Sequence, residues 1–225
     1  MDTATNNSRI TPYSTEWFET RIGAFTASEI HKLMSEGKTK GKIFSDKGET
    51  YILEKVHELL SRLSKPNIAN YATQWGVDNE PIALAWYAKL TGRSVEPSYL
   101  LIDEDFKALQ ATPDGFVGED GLIEVKCPAN GSNHIEHCFI TTDEYFKKVH
   151  KEYYWQMQCQ MLLAKRDWCD FVSFDPRINS DLGLFIYRLN FNPEDGELIE
   201  YKVAKAIEQR DSFFELMSAK TEVSE

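Results

Sequence analysis

Cysteine is scarce in this 225-residue chain: four residues, Cys127, Cys138, Cys159 and Cys169, with no CxxC pair among them. That excludes a dense disulfide framework, and reduced thiols are expected. No uninterrupted apolar run exceeds residues 82–88, far short of the roughly 20 residues a membrane-spanning helix needs. The opening MDTATNNSRI lacks the basic start and apolar stretch of a secretory signal. Residues 1–10 are therefore expected to be a flexible terminus, and the compartment to be cytoplasm. Positive charge is also short, 25 Lys and Arg against 36 Asp and Glu for a net −11. This argues against a general polyanion binder and requires any nucleic-acid site to be local. Repeats, low-complexity tracts and long linkers are missing as well, so residues 1–225 read as one domain.

What is present is the mix of a globular protein, 42% hydrophobic and 12% aromatic. Residues 14–21 open a short helix capped by Ser14 or Thr15, with Trp17 and Phe18 toward the core, and Gly23 breaks it. Thr26 and Glu29 match a capping box and predict a helix starting at Thr26. Residues 35–48 read as a mobile loop carrying Lys38, Lys40, Lys42 and Lys47. After it, Ile52, Leu53, Val56, Leu59, Leu60 and Leu63 fall at helical spacing, as scaffold. Residues 75–90 are again helical, with a kink or a start at Pro81, and Gly92 ends them. Strands are predicted over 94–102, 107–111, 115–117 and 122–126, with GEDG as a hairpin turn. A helix over 143–163, strands over 169–174 and 184–191 and a terminal helix from Pro193 complete an α/β fold, a central mixed sheet flanked by helices.

The most informative stretch is 111–128, ATPDGFVGEDGLIEVKCP. Asp114 starts one strand, and Glu124 and Lys126 occupy alternate positions of the next, so they share a face. A strand with Ile123 and Val125 on one side and two charges on the other needs a cleft to line, because burying unpaired charge is costly. Two nearby carboxylates stay ionised together when a cation or a lysine bridges them, and hard oxygen ligands suit magnesium. The same residues also fit a plain alternative, a turn at Asp-Gly and a solvated Glu/Lys pair on an exposed strand. His134-x-x-His137-Cys138, with Cys127 upstream, has the residue types of a zinc site but irregular spacing.

Pro113-Asp114 followed by Glu124-Val125-Lys126 resembles the PD-(D/E)XK nuclease motif. Trp17 to Glu29, with Arg21, Gly23 and Thr26-Ala27-Ser28-Glu29, resembles the N-terminal motif of the phage lambda exonuclease family, the YqaJ-like viral recombinases. Trp75-Gly76 with Glu80, Thr112-Pro113-Asp114-Gly115, residues 153–158 and Phe174-Asp175-Pro176-Arg177 follow in that family's order. The resemblance spans nearly the whole chain and implies a restriction-endonuclease-like core acting as a 5′→3′ exonuclease on double-stranded DNA. It implies release of 5′-mononucleotides from 5′-phosphorylated ends, with 3′ overhangs left for phage annealing recombination.

By that resemblance Asp114, Glu124 and Lys126 are catalytic. Two Mg²⁺ ions, or Mn²⁺ in their place, are held by Glu80, Asp114, Glu124 and the Val125 carbonyl. Lys126 beside two carboxylates has its pKa pushed up, which favours a water-orienting role over that of a general base. Arg21, Thr26, Ser28, Thr112 and Gln156 are expected to form a second pocket for the terminal 5′-phosphate. From local sequence alone Thr26 and Glu29 read better as a cap and Arg21 as a surface side chain, while Gln156 also fits a solvated helix face and Glu80 the residue before a helix start. The lysine loop either grips duplex backbone or is merely solvated. The resemblance further implies a homotrimeric ring around DNA, a phage single-strand annealing protein as partner and the bacterial host cytoplasm as location. Two rivals stay open, a PD-(D/E)XK endonuclease and a non-catalytic DNA-end-binding module.

Overall fold

A computed structural model of the chain describes residues 9–35, 37, 41–64, 70–179 and 181–222. Helix α1 (Thr15–Thr20) begins where its cap dictates, with the Ser14 Oγ accepting the Trp17 N–H at 3.2 Å. It buries no residue fully, so Trp17 and Phe18 are half-buried rather than in the core. Gly23, at φ +74°, turns the chain into β1 (Phe25–Thr26). The capping box expected at Thr26 does not form. The N–H that Glu29 would have to accept is taken by the Tyr51 hydroxyl at 3.1 Å, Glu29 pairs with Lys32 at 2.6 Å, and Ala27–Lys32 winds as a 3₁₀ helix.

Helix α2 (Asp46–Ser61) is capped by Ser45, so the loop before it is shorter than expected. Lys38 and Lys40 lie outside the described residues, while Lys42 pairs with Glu49 at 3.1 Å. Ile52 and Val56 are buried, but Leu53, Leu60 and Leu63 are exposed. The face turned inward also carries Lys55 and Glu58, a buried pair at 2.9 Å. Glu58 additionally accepts the Gly23 N–H at 2.9 Å, which explains charge on a core-facing stripe.

Helix α3 (Tyr71–Thr91) is capped by Asn70, runs through Pro81 instead of starting there, and ends at Gly92 with φ +68°. Strands β2 (Leu101–Ile102) and β3 (Leu109–Ala111) join β1 in a sheet of order β1-β3-β2. Strands β4 (Gly115–Val117), β5 (Gly121–Lys126), β6 (Trp168–Phe174) and β7 (Leu184–Asn190) form a second sheet in that order. Both are mixed: β1 runs parallel to β3 and β5 parallel to β6, and the other pairs are antiparallel. The expected single sheet is thus two ladders. The chain passes from one to the other in the turn between β3 and β4.

Helices α4 (Gly131–His137), α5 (Asp143–Val149) and α6 (Lys151–Ala164) follow β5, and α7 (Pro193–Glu222) closes the described chain. The helix expected over 143–163 is broken at His150, whose φ of −117° and ψ of 47° leave the helical region. Helix α4 occupies what reads in sequence as an irregular loop. Leu122 packs in a core cluster with Phe25, Leu109, Phe146 and Phe171, and Ile123 and Val125 pack in another with Ala83, Tyr87 and Val172. Strand β5 therefore separates two apolar layers. At the N-terminal side, residues 1–8 lie outside the description, but the Ile10 carbonyl accepts the Leu100 N–H at 3.0 Å, so that end of the expected flexible stretch is tied down. Among the described residues no helix is long and apolar enough to cross a membrane.

Candidate active site

The side-chain alternation of β5 sends Leu122, Glu124 and Lys126 to one face and Ile123 and Val125 to the other. Glu124 is 1% exposed, and such a carboxylate needs partners to remain charged. The Gln156 Nε2 donates to its Oε1 and the Gln160 Nε2 to its Oε2, each at 2.7 Å, and the Lys126 ammonium also binds Oε1. Asp114 stands in the turn from β3 to β4, where its Oδ2 accepts the Val125 N–H at 2.6 Å. The Ser98 hydroxyl bonds the Pro113 carbonyl and fixes that turn.

Glu80 reaches the same place from α3. Two turns further along that helix, Tyr87 donates to Asp170 at 2.6 Å, and Arg188 forks onto the same carboxylate through two bonds of 2.8 Å. That buried anchor sets the seat of α3 on the sheet, and with it the position of Glu80. Beyond β5, Arg177 forks onto Asp175 through two bonds of 2.7 Å and donates to the Ala129 carbonyl at 3.0 Å, which pins the chain leaving Lys126.

Glu80, Asp114, Glu124, Val125 and Lys126 line one cavity of about 300 Å³ together with Arg21, Thr26, Ser28, Thr112 and Gln156. Every site residue named from sequence is thus brought to one place. At its other end, the Arg21 guanidinium lies 4.0 Å over the Trp17 ring, and the Trp17 Nε1 donates to the Thr112 Oγ1 at 3.1 Å. The Thr26 and Ser28 hydroxyls are 3.3 Å apart. Gln156, expected on phosphate, has its amide on Glu124 instead. Trp17, which opens the N-terminal motif and reads locally as core, is a wall of the site, and sequence reasoning missed Ser98, whose partner lies 15 residues away across a turn. The i,i+4 pairing of Gln156 and Gln160 was visible, but nothing local says that both meet a carboxylate.

Burial, reinforced by Glu124, holds the Asp114 carboxyl well above the usual carboxylate range, and the same two causes raise Glu80. Burial opposes charge on Lys126, but Glu124 and Asp114 outweigh it, so the pKa is raised and the residue is an ammonium. Burial followed by Glu80 and Asp114 pushes the neighbouring Cys127 thiol up to about 12. The pocket is thus short of positive charge. Among the described residues no three His, Cys, Asp or Glu side chains are already gathered closely enough to hold a metal. The chemistry of the donor set nonetheless fits a hard divalent cation, with three carboxylates and a backbone carbonyl around a region of mutual repulsion.

The His134 and His137 pair belongs to a different setting. Both rings lie on α4 and share the Ser173 hydroxyl at 2.9 and 2.8 Å, and the other nitrogen of His134 meets the Leu182 carbonyl at 2.8 Å. Both His134 nitrogens are therefore engaged by protein atoms, contrary to what a zinc ligand needs.

The family model for the YqaJ-like viral recombinase domain matches residues 16–167. Among solved structures, the alkaline exonuclease LHK-Exo from Laribacter hongkongensis superposes with a TM-score of 0.80 and 31% identity, covering 94% of this chain and 100% of that one. LHK-Exo in complex with dAMP matches with the same TM-score and coverage at 32% identity. A phage related exonuclease from Haemophilus somnus 129PT matches with a TM-score of 0.71 at 21% identity, covering 86% of this chain and 96% of that one. At that identity the likeness speaks to the fold alone. No curated protein sequence matches.

Proposed function

The chain belongs to the YqaJ-like viral recombinase family and has the mixed α/β fold of PD-(D/E)XK alkaline exonucleases. From that premise of an alkaline exonuclease-like nuclease we propose a magnesium-dependent 5′→3′ exonuclease acting on double-stranded DNA. Its products are 5′-mononucleotides cut from 5′-phosphorylated ends, and a 3′ overhang remains. The observation that carries the reading is a cavity that three carboxylates and Lys126 share with Arg21 and the hydroxyls of Thr26, Ser28 and Thr112, and beyond which Arg21, Thr26 and Ser28 also line an adjoining cavity that Glu80, Asp114 and Glu124 do not. A terminal phosphate dianion suits the Arg21 end, since charge-assisted bonds to a guanidinium are among the strong ones.

Asp114, Glu124, Glu80 and the Val125 carbonyl would hold two magnesium ions, with manganese as a substitute. Bound there, divalent ions supply an acidified water and neutralise the departing 3′ oxygen. The protein's own part is placement. Lys126, an ammonium on the same strand face as Glu124, orients the attacking water and offsets charge on the phosphoryl oxygens. Arg21 and the hydroxyls hold the terminal phosphate, so the next phosphodiester lies over the carboxylates. Breaking the bond between phosphorus and the 3′ oxygen leaves a new 5′-phosphate on the shortened strand. The same pocket can then bind that end, and a single anchor gives cutting one nucleotide at a time. A trimeric ring that retains the duplex, a phage single-strand annealing protein loading on the overhang and action in the bacterial host cytoplasm extend this reading.

The test compares three substrates of equal length, 5′-phosphorylated linear duplex, 5′-hydroxyl linear duplex and covalently closed circle, each with Mg²⁺ and with chelator. The expected outcome is mononucleotide release from the phosphorylated linear form with Mg²⁺ alone. Nicking of the circle would assign an endonuclease, and no metal-dependent release from any substrate would assign a non-catalytic end-binding module.

A further inference from the structure

Helix α6 lines the cavity through Gln156 and Gln160, and both reach one carboxylate. Gln160 is fully buried, at 0% exposure. A carboxylate offers about four lone-pair sites. The two amides and Lys126 fill three of them, with Gln160 the only one on Oε2 among the described residues. Four-residue spacing places the amides one turn apart on a single helix face, so they grip both oxygens and fix the plane of the group. The orientation of Gln160 is dictated by its partner, because a flipped amide would set its oxygen against Oε2, acceptor facing acceptor. As oriented, the Gln160 Oε1 is buried without a hydrogen-bond partner. An unsatisfied buried acceptor costs stability, and an apolar side chain of equal length would avoid that cost. The amide's close partner is Glu124, and its only other contact among the described residues is a long one, 3.5 Å to the Thr112 carbonyl.

We propose that Gln160 is a positioning residue: with Gln156 it forms a two-amide clamp that holds the Glu124 carboxylate in the orientation that receives a divalent cation. The inference rests on the reading of Glu124 as a ligand. Neutral amides suit this duty, since they share Glu124 with a cation without repelling it, while the Lys126 ammonium competes for the same oxygen.

The experiment titrates Mn²⁺ calorimetrically into the full-length wild type, Gln160→Met, Gln160→Asn and Glu124→Gln, with metal-free thermal melts and the Mg²⁺ dependence of nucleotide release alongside. Gln160→Met keeps length without the amide, and Gln160→Asn keeps the amide one methylene short. Both are expected to weaken Mn²⁺ binding by about 10- to 100-fold and to raise the Mg²⁺ requirement more than they lower the rate at saturation. Gln160→Met removes an unpaired acceptor but leaves Oε2 without its donor, so the metal-free protein should stay folded and melt somewhat lower than wild type. Wild-type metal affinity in both Gln160 variants beside a loss in Glu124→Gln would overturn the clamp and leave Glu124 a ligand. Unchanged affinity in all three would overturn clamp and ligand reading together. A lower melting point in Gln160→Met with wild-type metal affinity would assign a structural role and overturn the proposal as well.

Discussion

The two ends of the cavity are built differently. The carboxylate end stands on β5, β6 and α3, where strand register sets Glu124 and Lys126, the Val125 N–H holds Asp114, and the Tyr87–Asp170–Arg188 anchor seats Glu80. The guanidinium end stands on a six-residue helix, a two-residue strand and a 3₁₀ turn. Its Arg21 is steadied by stacking on Trp17, with burial opposing its charge and Glu29 and Glu58 favouring it. The contrast teaches where precision is needed. Bond-breaking chemistry calls for groups held to a fraction of an ångström, and holding a terminal phosphate calls for donors gathered around it, here a half-buried Arg21, a buried Thr26 and an exposed Ser28.

If that division is right, substitutions at the two ends must differ in kind. The largest effect belongs to the carboxylate end: Glu124→Ala and Lys126→Ala should each lower nucleotide release by about 10²–10³-fold or more while circular dichroism shows a folded protein. Release at half the wild-type rate or better would remove these residues from the chemistry. Next comes Arg21→Ala, which should lose about 10- to 100-fold on phosphorylated ends, the worth of a charge-assisted bond, with little change on hydroxyl ends. Equal loss on both substrates would count against a phosphate pocket and erase the distinction between the two ends.

A smaller effect is expected where the weaker end is braced. Tyr51→Phe leaves the Thr26 N–H without its acceptor inside the protein and should cost about 1–3 kcal/mol in denaturant unfolding, with a partial loss of end preference as the Thr26–Ser28 turn loosens. Unchanged stability would mean the brace is idle. Smallest at neutral pH is the buried histidine layer under α4. Burial first, then His150 and His134, lower the His137 pKa to about 3, against about 6.5 in an unfolded chain. Between those values the unfolded chain binds a proton that the folded one does not, so this contribution to stability is intact above about pH 6.5 and is lost as pH falls toward 3. His137→Gln should flatten the acid side of the stability profile while leaving pH 7 nearly untouched. An unaltered acid slope would contradict the sign.

The same contrast governs what could be read without coordinates. Asp114, Glu124 and Lys126 are legible because a strand has a period of two, and a charged face opposite Ile123 and Val125 demands a cleft. Gly92 and Ser14 announce helix ends through chemistry confined to a few residues. The lost features depend on distant partners. The Thr26 capping box is defeated by Tyr51, 25 positions away. The break at His150 comes in a stretch without glycine or proline, where its ring packs 5.0 Å from His137. Trp17 reads as core until Thr112 and Arg21 are seen beside it. Gln156 reads in sequence as a phosphate donor or as part of a solvated helix face, and its amide meets Glu124, because helix periodicity reports direction and not what stands opposite.

The measurement that bears most directly on the central claim is nucleotide release from 5′-phosphorylated and 5′-hydroxyl duplex ends by wild type and Arg21→Ala, side by side with Mg²⁺ and with chelator. The account requires metal-dependent release that favours phosphorylated ends in the wild type and loses that preference in the variant. Release that persists in chelator, or an end preference that survives without Arg21, would contradict it.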